Sequence, residues 1–151
     1  MISTDTNILF AAVVPGSAKH AAAAAFLQSL DGRDDVAMSE FVLVELYGLL
    51  RNPAVVEKPL SAPQAAATCT AFRNHARWRI VGFAPDGRAA HDQLWKRAGE
   101  LAFPRRRIYD LRMAFSLIQQ GVTEFATVNT KDFGDAGFRR VWNPLEQGTS
   151  R

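Results

Sequence analysis

Apolar positions along the chain fall into short runs separated by longer segments of helical period. Ile2 to Thr4 reads as a brief strand that ends near Asp5 and passes into a turn. Ser17 to Leu30 is an alanine-rich helix, stopped by Asp31 and Gly32. Val36 to Met38 predicts a second strand, after which Ser39 caps an apolar helix that Asn52 and Pro53 end. A helix from Ala62 to Ala76 leads to a buried strand at Arg79 to Phe83. Asp86 to Phe103 predicts a long helix whose apolar stripe is Leu94, Trp95, Ala98, Leu101 and Ala102. Another helix runs from Ile108 to Gln120 and is closed by Gly121. EFATVN is the next strand, and FRRVWNP is a last, edge strand ended by Pro144. Short apolar strands alternating with helices predict an α/β fold, a mainly parallel sheet covered by helices on both faces.

Length and composition narrow the class. A chain of 151 residues fits one domain, 1–151, with 48% hydrophobic and 22% charged residues, the balance of a soluble globular protein. There is no apolar run of 18 residues and no signal-peptide pattern at the N-terminus, so the expected compartment is the cytoplasm, with no membrane contact. The lone Cys69 excludes an internal disulfide and a thiolate zinc cluster and is read as a packing residue. His20, His75 and His91 have no metal-ligand spacing. The formal net charge is +3, and Arg105, Arg106 and Arg107 form a run that is either a solvated face or a site for a polyanion.

The chemistry is concentrated in a few acids and amides. In FVLVELYGLL, Glu45 is the one charge in an otherwise core-like segment. On a helix wheel of roughly 100° per residue it falls between Phe41 and Leu49 and points to the apolar side. Ionised groups placed there are paired, exposed or functional. Asp5 stands where the first strand ends, the place where open parallel sheets bind ligands, although a turn cap explains it equally well. Asp110 occupies a first helical turn on the inward face, where a dipole-favoured cap is the plain alternative. TVNTKDF follows a strand directly, and there Asn129 and Asp132 carry oxygen while the Thr127 hydroxyl can orient a carboxylate; turn chemistry before a loop is the alternative. Carboxylates gathered at one place repel each other unless a cation neutralises them. Mg²⁺ or Mn²⁺ suits such oxygen ligands and leaves positions open for water and phosphate.

DTN at a strand end, an internal Glu on an apolar helix, an Asp opening a late helix and TVNTKDF after a strand together resemble the PIN-domain ribonucleases, specifically the VapC toxins of bacterial type II toxin-antitoxin pairs. The similarity spans Ile2 to Phe133. It implies a PIN-like α/β/α sandwich with strand order 3-2-1-4-5. It also implies a Mg²⁺- or Mn²⁺-dependent endoribonuclease that dimerises, is silenced by a VapB-type antitoxin, and leaves 5′-phosphate and 3′-hydroxyl ends. Carried over by position, Asp5, Glu45 and Asp110 are the acidic triad, with Asp5 and Asp110 the metal ligands and Glu45 acting through water. Asn129 takes the fourth position, where the family has Asp or Asn, and its amide adds no charge. Asn7, Thr127 and Asp132 are auxiliary. Arg105, Arg106, Arg107 and Lys131 are the expected RNA contacts, or else contacts for acidic antitoxin residues. Two rivals remain: a PIN module that binds RNA or a partner without cutting, and a dehalogenase-type phosphohydrolase, whose second Asp would fall at Asn7.

Overall fold

In the computed structural model, which describes residues 1–146, the strands are β1 (Ile2–Thr4), β2 (Val36–Ser39), β3 (Arg79–Val81), β4 (Glu124–Ala126) and β5 (Arg140–Trp142). They form a sheet in the order β3-β2-β1-β4-β5, with every neighbouring pair parallel. This is the expected 3-2-1-4-5 order. Parallel strands are covered on both faces, and β1 and β2 are accordingly buried at every residue.

Seven helices connect the described strands: α1 (Thr6–Val13), α2 (His20–Leu30), α3 (Glu40–Leu50), α4 (Ala62–Arg73), α5 (Gly87–Ala98), α6 (Arg107–Gln119) and α7 (Thr130–Phe133). α1 packs on α2 and α3, and α3 on α4; α5 packs on α6, and α6 on α7. Parallel crossovers take the right hand, and with this strand order that rule assigns the first group to one face of the sheet and the second to the other. Local chemistry marks several boundaries. Ser39 accepts a hydrogen bond from the Phe41 N–H to start α3, and Ser61 with Gln64 forms a capping box on α4. Gly121, at φ +89°, makes the left-handed turn that closes α6. The core between the layers is built from Ile8, Leu9, Met38, Leu46, Leu111, Leu117, Phe125 and Phe133.

The structure corrects several boundaries. Asp5 leads into a helix, not a turn: α1 starts at the next residue, because its apolar run buries Ile8, Leu9 and Ala11. α4 stops at Arg73, three residues before the expected end, and β3 is a short edge strand with Arg79 exposed and Phe83 outside it. α5 ends at Ala98 with Gly99 as its cap, and the next turn is broken by Ala102 at φ +64°, a left-handed conformation that costs a non-glycine residue about 1 kcal/mol. Its expected stripe therefore does not hold. Ala90 and Leu94 are buried, whereas Trp95 is 62% exposed and Leu101 is fully exposed. TKDF forms the one-turn helix α7 where a turn and loop were expected.

Chain direction away from the sheet's middle reverses between β1 and β4. From β1 the chain moves outward through β2 to β3, then crosses back to β4 and β5. Such a switch point opens a crevice beyond the carboxyl ends of the two strands.

Candidate active site

Asp5 follows β1 directly and Thr127 follows β4 directly, in register, because Thr4 pairs with Ala126. The two side chains are thus neighbours, and the Thr127 hydroxyl donates to Asp5 Oδ2 at 2.6 Å. Asn7 Nδ2 donates to the same oxygen at 2.7 Å, and the Thr6 N–H donates to Oδ1 at 2.8 Å. The last bond makes Asp5 the N-cap of α1 as well. Thr127 Oγ1 accepts in turn from Asn7 Nδ2 and from the Asn129 N–H, which fixes the start of the α7 segment. Asp5 is only 7% exposed.

α3 contributes Glu45 and α6 contributes Asp110. With Asp5, Thr6, Asn7, Phe10, Leu49, Asn129 and Phe133 they line a crevice of about 190 Å³. Among the described residues no lysine or arginine is part of its wall. A larger cavity of about 510 Å³ shares Phe10 with it; its other walls are mainly apolar, and Ser17, Glu57 and Lys58 are its polar side chains, so it gathers one carboxylate beside a lysine and no cluster of acids. The smaller crevice is therefore the candidate site.

The Glu45 side chain does not face the core as its place in an apolar helix suggested. The core stripe of α3 is Val42, Leu43, Leu46 and Leu50. Glu45 is exposed in the crevice, with Oε2 accepting from the Thr6 hydroxyl at 2.8 Å. Leu49, one turn away, lines the same wall, so the apolar flank of Glu45 is the crevice. Among the described residues no arginine pairs with it. Thr6 was missed by sequence reasoning; its signal was its place beside Asp5 in a cap that also opens a helix.

The site stores repulsion between like charges. Burial pushes Asp5 from the ordinary aspartate value of 3.8 up to about 6; the hydrogen bonds from Thr127 and the Thr6 N–H oppose this, and Glu45 adds to it. Burial first, and then repulsion from Asp5, Glu45 and Asp132, pushes Asp110 up to about 6 as well. Arg107 works weakly the other way on Asp110. Asp132 is exposed near Asp110 without lining the crevice.

No family model matches the chain. Over 145 residues it is 48% identical to Ribonuclease VapC24 of Mycobacterium tuberculosis, in the CDC 1551 / Oshkosh and H37Rv strains alike, covering 96% of this chain and 97% of that protein. The chain belongs to the VapC ribonuclease family. Solved structures agree on the fold. VapC20 of Mycobacterium tuberculosis, a sarcin-ricin loop cleaving toxin, is 24% identical with a TM-score of 0.64, covering 91% of this chain and 96% of VapC20. FitAB bound to the IR36 DNA fragment is 22% identical with a TM-score of 0.65, and both chains are covered completely. VapBC2 of Rickettsia felis, bound to a promoter DNA fragment, gives 23% and 0.62, covering 95% and 98%.

The donor set of this VapC chain suits a hard cation. Every polar group in the crevice is a carboxylate, amide or hydroxyl, and two of the carboxylates are held away from their ordinary titration by burial and mutual repulsion. Among the described residues no three Asp, Glu, His or Cys groups are arranged to hold one ion together. Mg²⁺ takes one or two protein carboxylates and keeps several waters.

The four expected RNA contacts divide. Arg105, Arg106 and Lys131 are exposed in the VapC fold. Arg107 turns inward, pairs with Asp135 and donates from Nε to the Asp132 carbonyl at 3.2 Å, so its charge is committed within the protein.

Proposed function

We propose that this VapC-family chain is a Mg²⁺- or Mn²⁺-dependent endoribonuclease, the toxin of a type II toxin-antitoxin pair, which hydrolyses RNA phosphodiesters by attack of water. The observation that carries this reading is the convergence of Asp5, Glu45 and Asp110, from three distant parts of the chain, in one crevice with Asn129 and no cation in its wall. Further support comes from the 48% identical relative, which is a ribonuclease, and from VapC20, which is a sarcin-ricin loop cleaving toxin.

In this reading Asp5 and Asp110 would hold the ion, which would supply Lewis-acid polarisation of a phosphodiester and activation of water. Thr127 and Asn7 fix the rotation of the Asp5 carboxylate, so one of its faces is always turned to the crevice. Glu45, steadied by Thr6, takes the proton of the attacking water. Asn129 orients water through its amide. Phe10, Leu49 and Phe133 form the apolar part of the wall. Arg105, Arg106 and Lys131 meet the flanking phosphates. A VapB-type antitoxin, a homodimer and a cytoplasmic setting belong to the same reading; among the described residues no helix is long and apolar enough to cross a membrane.

The test is cleavage of a structured, end-labelled RNA pool in Mg²⁺, in Mn²⁺ and in EDTA, with Asp5→Asn and Asp110→Asn alongside. Cleavage should require metal and fall at least about a hundredfold in each variant. Cleavage indifferent to EDTA and to both substitutions refutes the mechanism. RNA retained without being cut supports a silent binding module instead.

A further inference from the structure

Arg107 opens α6 and Asp110 stands three residues later in the same turn. Side chains at that spacing are neighbours on the helix surface, and an arginine and an aspartate so placed ordinarily attract each other into a pair. Here they do not pair. The Arg107 guanidinium is drawn to Asp135, beyond α7, and its Nε to the Asp132 carbonyl at 3.2 Å. The arginine side chain is 16% exposed, and its guanidinium carbon lies 5.9 Å from the centre of the Phe103 ring, which further restricts where it swings.

Asp135 is itself held in place. Arg97 on α5 donates to Asp135 Oδ2 at 2.8 Å and to its carbonyl at 3.3 Å, while Glu100 sits 3.1 Å from Arg97 Nε. Two arginines from two helices thus converge on one carboxylate. Asp135 lies outside the crevice wall, and its side chain is 59% exposed.

We propose that Asp135 is a positioning residue that keeps the metal site open. By engaging the Arg107 guanidinium against α7, it prevents Arg107 from becoming the counter-ion of Asp110 and leaves that carboxylate for a divalent cation. The inference rests on the proposed metal-dependent function. With Asp135 removed, the carboxylates left near Arg107 are Asp110, on its own helical turn, and the exposed Asp132, whose carbonyl already accepts from Nε; of the two, Asp110 is the more buried and gains more from a counter-ion. A guanidinium on Asp110 competes with the ion for the same oxygens, as any fixed cation does at a carboxylate site.

The experiment measures Mn²⁺ affinity of the full chain at pH 7.5, by calorimetry and by the electron paramagnetic resonance signal of free Mn²⁺. It uses the wild type, Asp135→Asn, Arg107→Gln, the double variant and Asp5→Asn, with circular dichroism to check the fold. Asp135→Asn should weaken binding about tenfold or more, the range seen when an outer partner of a metal ligand is lost. Arg107→Gln should bind at least as well as wild type. The double variant should recover to within about twofold of Arg107→Gln, because no arginine is left to release. If Asp135 only ties α5, α6 and α7 together, the double variant stays as weak as Asp135→Asn, and the proposal fails. Unchanged affinity in Asp135→Asn also overturns it. A wild type that binds no Mn²⁺, or an Asp5→Asn variant that binds as tightly as wild type, overturns the metal-site reading and this proposal with it.

Discussion

Metal-free protein should lose stability as the pH rises from about 4 to about 6, the opposite of what a salt-bridged aspartate gives. Asp5 titrates near 6 in the folded chain and near its ordinary 3.8 when unfolded. Between those values the folded state carries more protons, so the slope of unfolding free energy with pH is negative. The contribution is fully present below about 3.8 and is lost as the pH passes through about 6. A rise of roughly two pH units at about 1.4 kcal/mol each amounts to about 3 kcal/mol, of which about half falls between pH 5 and 7.5. Asp110 acts in the same direction, with a smaller effect because solvent reaches it. The assay is urea unfolding in EDTA at pH 5 and 7.5, on wild type and Asp5→Asn, with the difference between the two proteins read at each pH so that carboxylates uncoupled from Asp5 cancel; Asp110, which Asp5 repels, adds in the same direction. The wild type should lose about 1.4 kcal/mol relative to the variant across that interval. Millimolar Mg²⁺ or Mn²⁺ should restore stability to the wild type at pH 7.5 and much less at pH 5, where protons compete for the same oxygens. A wild type that gains stability relative to Asp5→Asn as the pH rises would refute the account of the pocket.

Thr127→Val removes the strongest hydrogen bond opposing the raised pKa of Asp5 and should weaken Mn²⁺ binding about 10- to 100-fold, while the alkaline shift of Asp5 appears in the pH dependence of that binding. Thr4→Val should stabilise the protein by about 1 kcal/mol, or about 2–4 °C in Tm, because the Thr4 hydroxyl is buried in the central strand without a partner; calorimetry reads this directly. Replacing Arg105 and Arg106 by Ala should lower the slope of log affinity for single-stranded RNA against log salt by about 0.7 per lost phosphate contact, with cleavage of bound RNA retained. An unchanged slope would place the RNA path elsewhere.

Strand ends were the most legible part of the sequence. Asp5 and Thr127 each follow a short apolar run, and parallel pairing brings them together once β1 and β4 are neighbours. Strand order came from resemblance, since periodicity says nothing about which strands adjoin. The helix wheel gave Glu45 its correct neighbours, Phe41 and Leu49, but a wheel fixes an angle and not what the angle faces; here it faces a crevice. α1 was hidden because an Asp-Thr-Asn run serves a turn and a helix cap equally well, and only the burial of Ile8, Leu9 and Ala11 decides between them. The three consecutive arginines are alike in sequence. Only a carboxylate 28 positions further on distinguishes Arg107 from the other two.

β1 passes into α1 through Asp5 alone, without a connecting loop. The acid is therefore anchored at both ends, by the middle strand of the sheet and by the first turn of a buried helix, and cannot retreat without disturbing both. An inhibitor that works by bending the floor of this pocket would have to unfold part of the protein. On the metal-dependent reading proposed above, effective silencing agents cap the opening or strip the ion, and resistance should arise at the rim, where side chains vary at little structural cost.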